Sequence, residues 1–170
     1  EREFKPLNIA VMTVSDSRTE ETDKSGNTLV KLLTEAGHTL ANKQIVPDDI
    51  YRKRAVVSQW IADNAINAVI TTGGTGITGR DTTPEAVVAL FDKQIDGFGE
   101  LFRTVSYEEI NTSTMQSRAV GGVANATFIF CLPGSTGACR TGWGKIISHQ
   151  LDYRTRPCNL VELMPRVLEK

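Results

Sequence analysis

The chain has 170 residues, and its 19 lysines and arginines nearly balance its 20 aspartates and glutamates, giving a formal net charge of −1. This balance excludes a nucleic-acid binder that neutralises phosphates with basic side chains, and it equally excludes a polyacidic tail. The length fits a single domain over residues 1–170, with its core expected at about 7–150 and a C-terminal tail at 151–170.

No apolar run reaches the roughly 18 residues of a membrane span, and the charged residues 1–6 contain no signal-peptide core. The cysteines, at positions 131, 139 and 158, lack C-x-x-C spacing, which favours reduced thiols over a disulfide framework or a zinc site. These features predict a cytoplasmic protein that has neither nucleic acid nor a membrane as its partner.

The first part of the chain alternates predicted strands and helices. Residues 7–14 are an almost continuous apolar run, typical of a strand buried on both faces of a parallel sheet. Ser25 is the expected cap of a first helix, and Gly37 is the expected stop. A second, more polar strand is predicted at 39–46.

A second helix is predicted after Asp49, with the basic run 52–54 on a solvated face. A short β-branched strand at 68–72 then precedes a glycine-rich loop at 73–83, GGTGITGRDTT. Thr83 is the expected cap of the next helix, with a proline in its first turn.

The second half of the chain is less regular. Its elements are expected in this order: a helix at 97–103, an unassigned polar stretch at 106–117, an edge strand at 119–124 paired with a strand at 127–132, a helix at 136–150 and a short helix in the tail. Trp60 and Trp143 fall on helix faces and are expected to pack in the core rather than stack on a ligand.

The alternation of strands and helices predicts an α/β fold, a three-layer sandwich around a mostly parallel sheet. Ligands of such sheets bind beyond the carboxyl ends of the strands. The residues expected at those ends are polar or glycine: Ser15, Asp16, Asp48, Gly73, Gly74, Thr75, Gly76, Gly134 and Ser135.

The stretch 74–79 fits two nucleotide-binding patterns incompletely. It spells G-x-G-x-x-G, but no helix opens within it, and it follows the third strand rather than the first, which disfavours an NAD site. It also has the glycine spacing of a P-loop, yet Arg80 and Asp81 stand where lysine and serine or threonine belong. Free backbone N–H groups in such a loop would surround an anion, and a merely flexible loop is the alternative.

Two acidic residues are expected near this loop. Asp48 follows the second strand, and Asp81 lies just beyond the glycines. Magnesium is commonly held by one or two carboxylates together with substrate phosphates, so their joint placement favours a Mg²⁺ site, although either residue alone would usually be solvated. Arg80 would add a cationic donor or remain solvated.

Several motifs occur together in one order: TVSD at 13–16, IVPD at 45–48, TTGGTG at 71–76 with RD at 80–81 and TP at 83–84, GFGE at 97–100, and LPGS at 132–135. Over about residues 7–150 the chain resembles the MogA/MoaB family of molybdenum cofactor biosynthesis proteins. The segments 139–143 and 154–159 resemble the MoaB branch most.

The resemblance implies the molybdopterin-binding α/β fold, assembled as trimers, or as hexamers in the MoaB branch. It implies an adenylyltransferase that joins the terminal phosphate of molybdopterin to AMP from Mg-ATP and releases pyrophosphate.

Asp48 and Asp81 match the catalytic acidic pair, and Gly73 to Gly76 match the nucleotide and phosphate cradle. Ser15, Asp16, Gly134 and Ser135 match positions that line the pocket. Glu100 and Ser113 are further candidates to reach it. The alternative is a non-catalytic protein that binds molybdopterin or a purine nucleotide, ATP or GTP.

Overall fold

The computed structural model describes residues 1–170 and contains one six-stranded sheet. Its strands are β1 (Asn8–Val14), β2 (Thr39–Val46), β3 (Ala68–Thr72), β4 (Lys93–Gln94), β5 (Val120–Ala124) and β6 (Thr127–Leu132). Its α-helices are α1 (Lys24–Glu35), α2 (Ile50–Ala62), α3 (Thr83–Val88), α4 (Asp96–Ile110), α5 (Thr136–Gly142), α6 (Ser148–Gln150) and α7 (Leu160–Leu163). A π-helical turn, Trp143–Ile147, joins α5 to α6, and 3₁₀ helices span Asn111–Gln116 and Met164–Arg166.

The strands lie in the order β2-β1-β3-β6-β5-β4. β2, β1, β3 and β6 are mutually parallel, whereas β5 pairs antiparallel with β6 and β4 antiparallel with β5. The mostly parallel sheet is therefore confirmed. The prediction of an edge strand at 119–124 was wrong, because β4 covers that edge with only the two residues Lys93 and Gln94, too few to produce a pattern.

Helices cover both faces of the sheet, as the three-layer prediction requires. Alternate residues of β1 point to opposite sides: Ile9 and Val11 belong to one buried cluster, and Ala10 and Met12 to the other. The first cluster packs against α1, α4 and α5, and the second against α2 and α3. None of the helices combines the length and apolar character needed to cross a membrane.

Two helix starts differ from the prediction. Asp23, not Ser25, caps α1, because its carboxylate accepts a hydrogen bond from Gly26 N–H at 3.0 Å. Ser25 instead donates to the carbonyl oxygen of Gly134 at 2.7 Å. Likewise Thr83 is the first residue of α3 and donates its hydroxyl to Gly73 O at 2.8 Å. Both hydroxyls thus tie helices to the loops at the carboxyl end of the sheet.

The two tryptophans lie in the core, as predicted: Trp60 and Trp143 are both buried. The polar stretch at 106–117 resolves into the end of α4 and the 3₁₀ helix that follows it. Leu151 and Val161, from the predicted tail, belong to the larger core cluster, so this part of the tail packs against the sheet domain.

Candidate functional site

The loops at the carboxyl ends of β3 and β6 surround a cavity of about 530 Å³. This size is within the roughly 300–1,000 Å³ of small-molecule sites. Seven of the predicted site residues line it: Gly73, Gly74, Thr75, Gly76, Asp81, Gly134 and Ser135. The opposite wall comes from α4 and the following 3₁₀ helix, through Phe102, Ser106, Glu109, Ile110, Ser113 and Gln116. Of this wall only Ser113 was a candidate, because the polar pattern at 106–117 gave no element to place it on.

The start of the glycine loop requires glycine. Gly73 and Gly74 adopt φ values of +105° and +75°, which side chains disfavour. A Cβ at Gly73 would lie 2.6 Å from Val14 O, and one at Gly74 would lie 2.2 Å from Thr83 Oγ1. The loop is therefore packed against β1 and α3 on its protein side.

The carbonyl groups of this loop are used within the protein, while two of its N–H groups are not. The carbonyls of Gly73 and Gly74 accept from the hydroxyl and the backbone N–H of Thr83 at 2.8 and 3.0 Å. The N–H groups of Gly74 and Thr75 donate to no protein acceptor. This arrangement favours an anion-binding nest over a flexible loop.

Arg118 holds the same loop from the side and was missed in the sequence, where it follows an unassigned stretch. Its backbone N–H donates to Thr75 O at 2.9 Å, and its guanidinium donates to Gly76 O and Asp81 O, each at 2.8 Å. The guanidinium also pairs with Glu85 of α3. One arginine therefore fixes three carbonyls of the loop.

Asp81 lies in the cavity wall as a carboxylate. Its Oδ2 accepts hydrogen bonds from the Thr78 hydroxyl at 2.7 Å and from Thr78 N–H at 3.0 Å. Partial burial opposes ionisation, but the Thr78 bonds, the Gly76 N–H and the charge of Arg118 outweigh it. Together they hold the pKa of Asp81 below its ordinary value. Asp81 is thus ionised at neutral pH.

Asp48 does not line the cavity. Its Oδ1 lies 2.9 Å from Nζ of Lys53, which is fully buried, and Lys53 Nζ donates to Thr82 Oγ1 at 3.1 Å. The expected solvated position of Lys53 was therefore wrong: helical spacing does not show that the ammonium finds a carboxylate at the preceding turn. Asp48 and Asp81 make no direct contact and are connected through Lys53 and Thr82.

Ser15, Asp16 and Arg80 also lie outside the cavity wall, contrary to the expectation for Ser15 and Asp16. The Ser15 hydroxyl is occupied in its own turn, where it accepts from Ser17 N–H at 3.2 Å and Arg18 N–H at 3.0 Å. Asp16 pairs with the exposed Arg80 and accepts from Asp48 N–H at 2.8 Å. Glu100 is exposed on α4 and likewise does not line this cavity. These polar groups surround the site without forming its wall.

The donor set fits magnesium, although no cluster of three or more His, Cys, Asp or Glu side chains is present. Two carboxylates and substrate phosphates suffice for Mg²⁺, which prefers oxygen ligands. Asp48 Oδ1 is buried and accepts no hydrogen bond, because its contact with Lys53 is an ion pair without hydrogen-bond alignment. Asp81 offers its second carboxylate oxygen next to the glycine loop.

Comparison with known proteins gives the class to which this fold and cavity belong. Residues 10–153 match the family described as a probable molybdopterin binding domain. The chain therefore belongs to this family, and the predicted MogA/MoaB membership is confirmed.

Two similar proteins from different bacteria have the same name. The chain is 57% identical over 157 residues to molybdenum cofactor biosynthesis protein B of Escherichia coli K12, covering 92% of each. It is 44% identical over 147 residues to the protein of that name from Bacillus subtilis, covering 86% of each. The chain thus has a role in molybdenum cofactor biosynthesis.

Solved structures agree with the fold. A crystal structure of molybdenum cofactor biosynthesis protein B superimposes with a TM-score of 0.85 at 48% identity, covering 88% of this chain and 94% of that one. The tungsten cofactor synthesizing protein MoaB from Pyrococcus furiosus superimposes with a TM-score of 0.74 at 38% identity, covering 85% and 92%. The mixed α/β architecture is that of this family. Membership of a family of molybdopterin-binding domains fits a small pterin as the ligand.

Proposed function

We propose that this protein is a cytoplasmic molybdopterin adenylyltransferase that uses Mg-ATP and releases pyrophosphate. The observation that carries the proposal is the glycine loop, whose Gly74 and Thr75 N–H groups have no protein acceptor and which lines a cavity beside the ionised Asp81. Free N–H groups bind phosphate oxygens, and a neighbouring carboxylate suits the cation that accompanies a nucleotide.

The reaction requires positioning and charge neutralisation rather than a protein nucleophile. An oxygen of the pterin phosphate attacks the α-phosphorus of ATP, the bond from that phosphorus to the bridging oxygen breaks, and pyrophosphate leaves with the electron pair. The N–H groups of Gly74 and Thr75 would hold the phosphates of the nucleotide. Thr83 and Arg118 keep those N–H groups in place through the loop carbonyls.

Asp48 and Asp81 would hold Mg²⁺, which neutralises the repulsion between the two reacting anions when bound. The lowered pKa of Asp81 keeps this ligand charged at neutral pH. Asp48 would offer its Oδ2, because its Oδ1 already pairs with the buried ammonium of Lys53 at 2.9 Å.

The wall opposite the glycine loop would receive the pterin. Phe102 and Ile110 provide apolar surface, whereas Ser106, Glu109 and Ser113 provide hydrogen-bonding groups. Glu109 is oriented by the hydroxyl of Thr141, which lies 2.9 and 2.8 Å from its two carboxylate oxygens. A pterin ring, flat and rich in donors and acceptors, matches such a mixed wall.

The second candidate is a binding protein without chemistry, which holds molybdopterin or a purine nucleotide for transfer. The observation that favours it is the position of Asp48, which already pairs with Lys53 and lies outside the cavity wall.

Incubation with molybdopterin and Mg-ATP separates the two candidates. The proposal expects pyrophosphate and adenylated pterin, with Mg-GTP run in parallel to define the nucleotide. Binding of both ligands without either product would favour the binding protein.

Self-association to a trimer or hexamer is also proposed. Large apolar side chains lie exposed on α4 and the 3₁₀ helix after it, at Leu101, Tyr107, Ile110 and Met115. Exposed apolar residues grouped on one pair of elements are typical of a protein interface. Light scattering on a sizing column would show a trimeric or hexameric mass, and a monomer at micromolar concentration would contradict it.

A further inference from the structure

Lys53 is a fully buried cation that the adenylation chemistry above does not use. It lies in the first turns of α2, and its ammonium contacts Asp48 Oδ1 at 2.9 Å and Thr82 Oγ1 at 3.1 Å. Burying a lysine costs free energy unless its charge is paired, so the charge of Lys53 depends on its partner Asp48.

The ammonium lies directly behind the glycine loop. A Cβ placed on Gly74 would be 3.0 Å from Lys53 Nζ. Gly74 lines the cavity, whereas Lys53 does not, so the loop backbone separates the ammonium from the cavity. Charges at this depth act on bound phosphates with little screening by solvent.

The charge behind the loop is that of a pair, not of a single residue. Asp48 alone would place a negative charge behind a loop built to receive phosphates. Because the Lys53 ammonium lies 2.9 Å from Asp48 Oδ1, the pair presents no net charge to the cavity. Asp81, which is ionised and in the cavity wall, then remains as the carboxylate of this loop that has no ion-pair partner.

We propose that Lys53 is a positioning residue that balances Asp48 behind the glycine loop and thereby sets the loop's relative preference for phosphate and divalent cation. This inference rests on the proposed phosphate-binding function of the loop. Lys53 keeps Asp48 from repelling phosphates and moderates the attraction of Asp48 for the cation.

Single substitutions of Lys53 and Asp48 should change the affinities for pyrophosphate and Mn²⁺ in opposite directions. Lys53→Met leaves a net negative charge behind the loop, so pyrophosphate in EDTA should bind about tenfold more weakly and Mn²⁺ several-fold more tightly. Asp48→Asn leaves a net positive charge, so pyrophosphate should bind more tightly and Mn²⁺ more weakly. The double variant restores neutrality and should bind pyrophosphate close to the wild-type affinity. Calorimetry measures pyrophosphate, and electron paramagnetic resonance measures free Mn²⁺.

The matched control is Lys43→Met. This substitution breaks another lysine–aspartate pair, in which Lys43 is partly buried and the buried Asp23 lies at 3.0 Å, and both residues lie outside the glycine loop. It should leave the pyrophosphate affinity of the folded protein unchanged. A merely structural role for Lys53 would shift both single variants in the same direction, which overturns the inference, as would an equal effect of Lys43→Met. If Lys53→Met does not fold, the tightening in Asp48→Asn and its reversal in the double variant carry the same test.

The outcome also separates this inference from the proposed function. A wild-type protein that binds neither pyrophosphate nor ATP overturns both. A wild-type protein that binds them without forming adenylated pterin overturns only the enzyme, while the opposite signs of the single variants still decide the role of Lys53.

Discussion

At the scale of single residues, Asp81 and Asp48 share a side-chain type but occupy different environments. Asp81 stands in the cavity wall, where Thr78 donates two hydrogen bonds to it, whereas Asp48 is paired behind the loop with a buried lysine. Both placements follow from neighbours that helical and strand patterns do not specify. The sequence therefore identified both acids as candidates, but it did not predict that only one of them faces the cavity.

Asp81→Asn should lower the rate of pyrophosphate release about a hundredfold or more, because the charge that supports the cation is lost. The Thr78 hydrogen bonds can still reach the amide oxygen, so folding and pterin binding should be retained. Initial rates and fluorescence titration with the pterin measure the two effects. Normal turnover in this variant would remove Asp81 from the mechanism.

Glycine is required at position 74 but not at position 79. Gly74→Ala should destabilise the protein by about 2 kcal/mol or more, because φ of +75° is unfavourable and the methyl group meets Thr83 Oγ1. Gly79→Ala is the matched control, since a Cβ there meets nothing within 4 Å. Thermal unfolding of both variants gives the comparison, and equal stabilities would show that the loop is not held as described.

Among the elements, most helices and the strands other than β4 follow from the sequence, while the connections that build the site do not. β1 and β3 have apolar or β-branched patterns and β2 has a mixed one, and all three are predicted at or within one residue of their observed bounds. β4 has only two residues, and the 3₁₀ helix at Asn111–Gln116 has no apolar period. The cavity wall opposite the glycine loop was missed for this reason.

Arg118 connects these elements, and Arg118→Met should weaken ATP binding about tenfold, because the carbonyls of Gly76 and Asp81 lose their donor. Faster amide hydrogen exchange over residues 74–81 should accompany the weaker binding. Arg118→Lys should not restore either property, since one ammonium cannot replace a planar guanidinium that serves several acceptors. Unchanged exchange in the loop would contradict this role.

At the scale of the whole molecule, one buried carboxylate ties together β1, α1 and β2. Asp23 is fully buried and accepts from the Thr13 hydroxyl at 2.7 Å and from Gly26 N–H at 3.0 Å, and it pairs with Lys43. Burial opposes its ionisation, but these partners outweigh it and lower its pKa. The same residue caps α1 and anchors the start of that helix to β1 and β2.

The stability of the fold should therefore depend on pH through Asp23. Because its folded pKa is lowered, its contribution is fully present above the unfolded value of about 3.9 and is lost as pH falls through the lower folded value. Asp23→Ala should cost about 3 kcal/mol or more at pH 7, since α1 loses its cap and Lys43 its partner. Urea unfolding of both proteins from pH 7 to pH 3 should show the difference shrinking towards acid. A constant difference would assign the loss to packing alone.

The family fold was predictable from the sequence because its motifs fall at the carboxyl ends of parallel strands, where the topology brings them together. The charge balance of −1 gave no sign of an anion site, since backbone N–H groups carry no formal charge. The position of Lys53 behind the loop required three-dimensional structure.

Pyrophosphate release by the purified protein with molybdopterin and Mg-ATP, followed together with formation of adenylated pterin, tests most directly whether this protein is an adenylyltransferase. Both products should form in equal amounts, and neither should form when Mg²⁺ is removed with EDTA. Absence of both products from a folded protein that binds molybdopterin and ATP would contradict this activity.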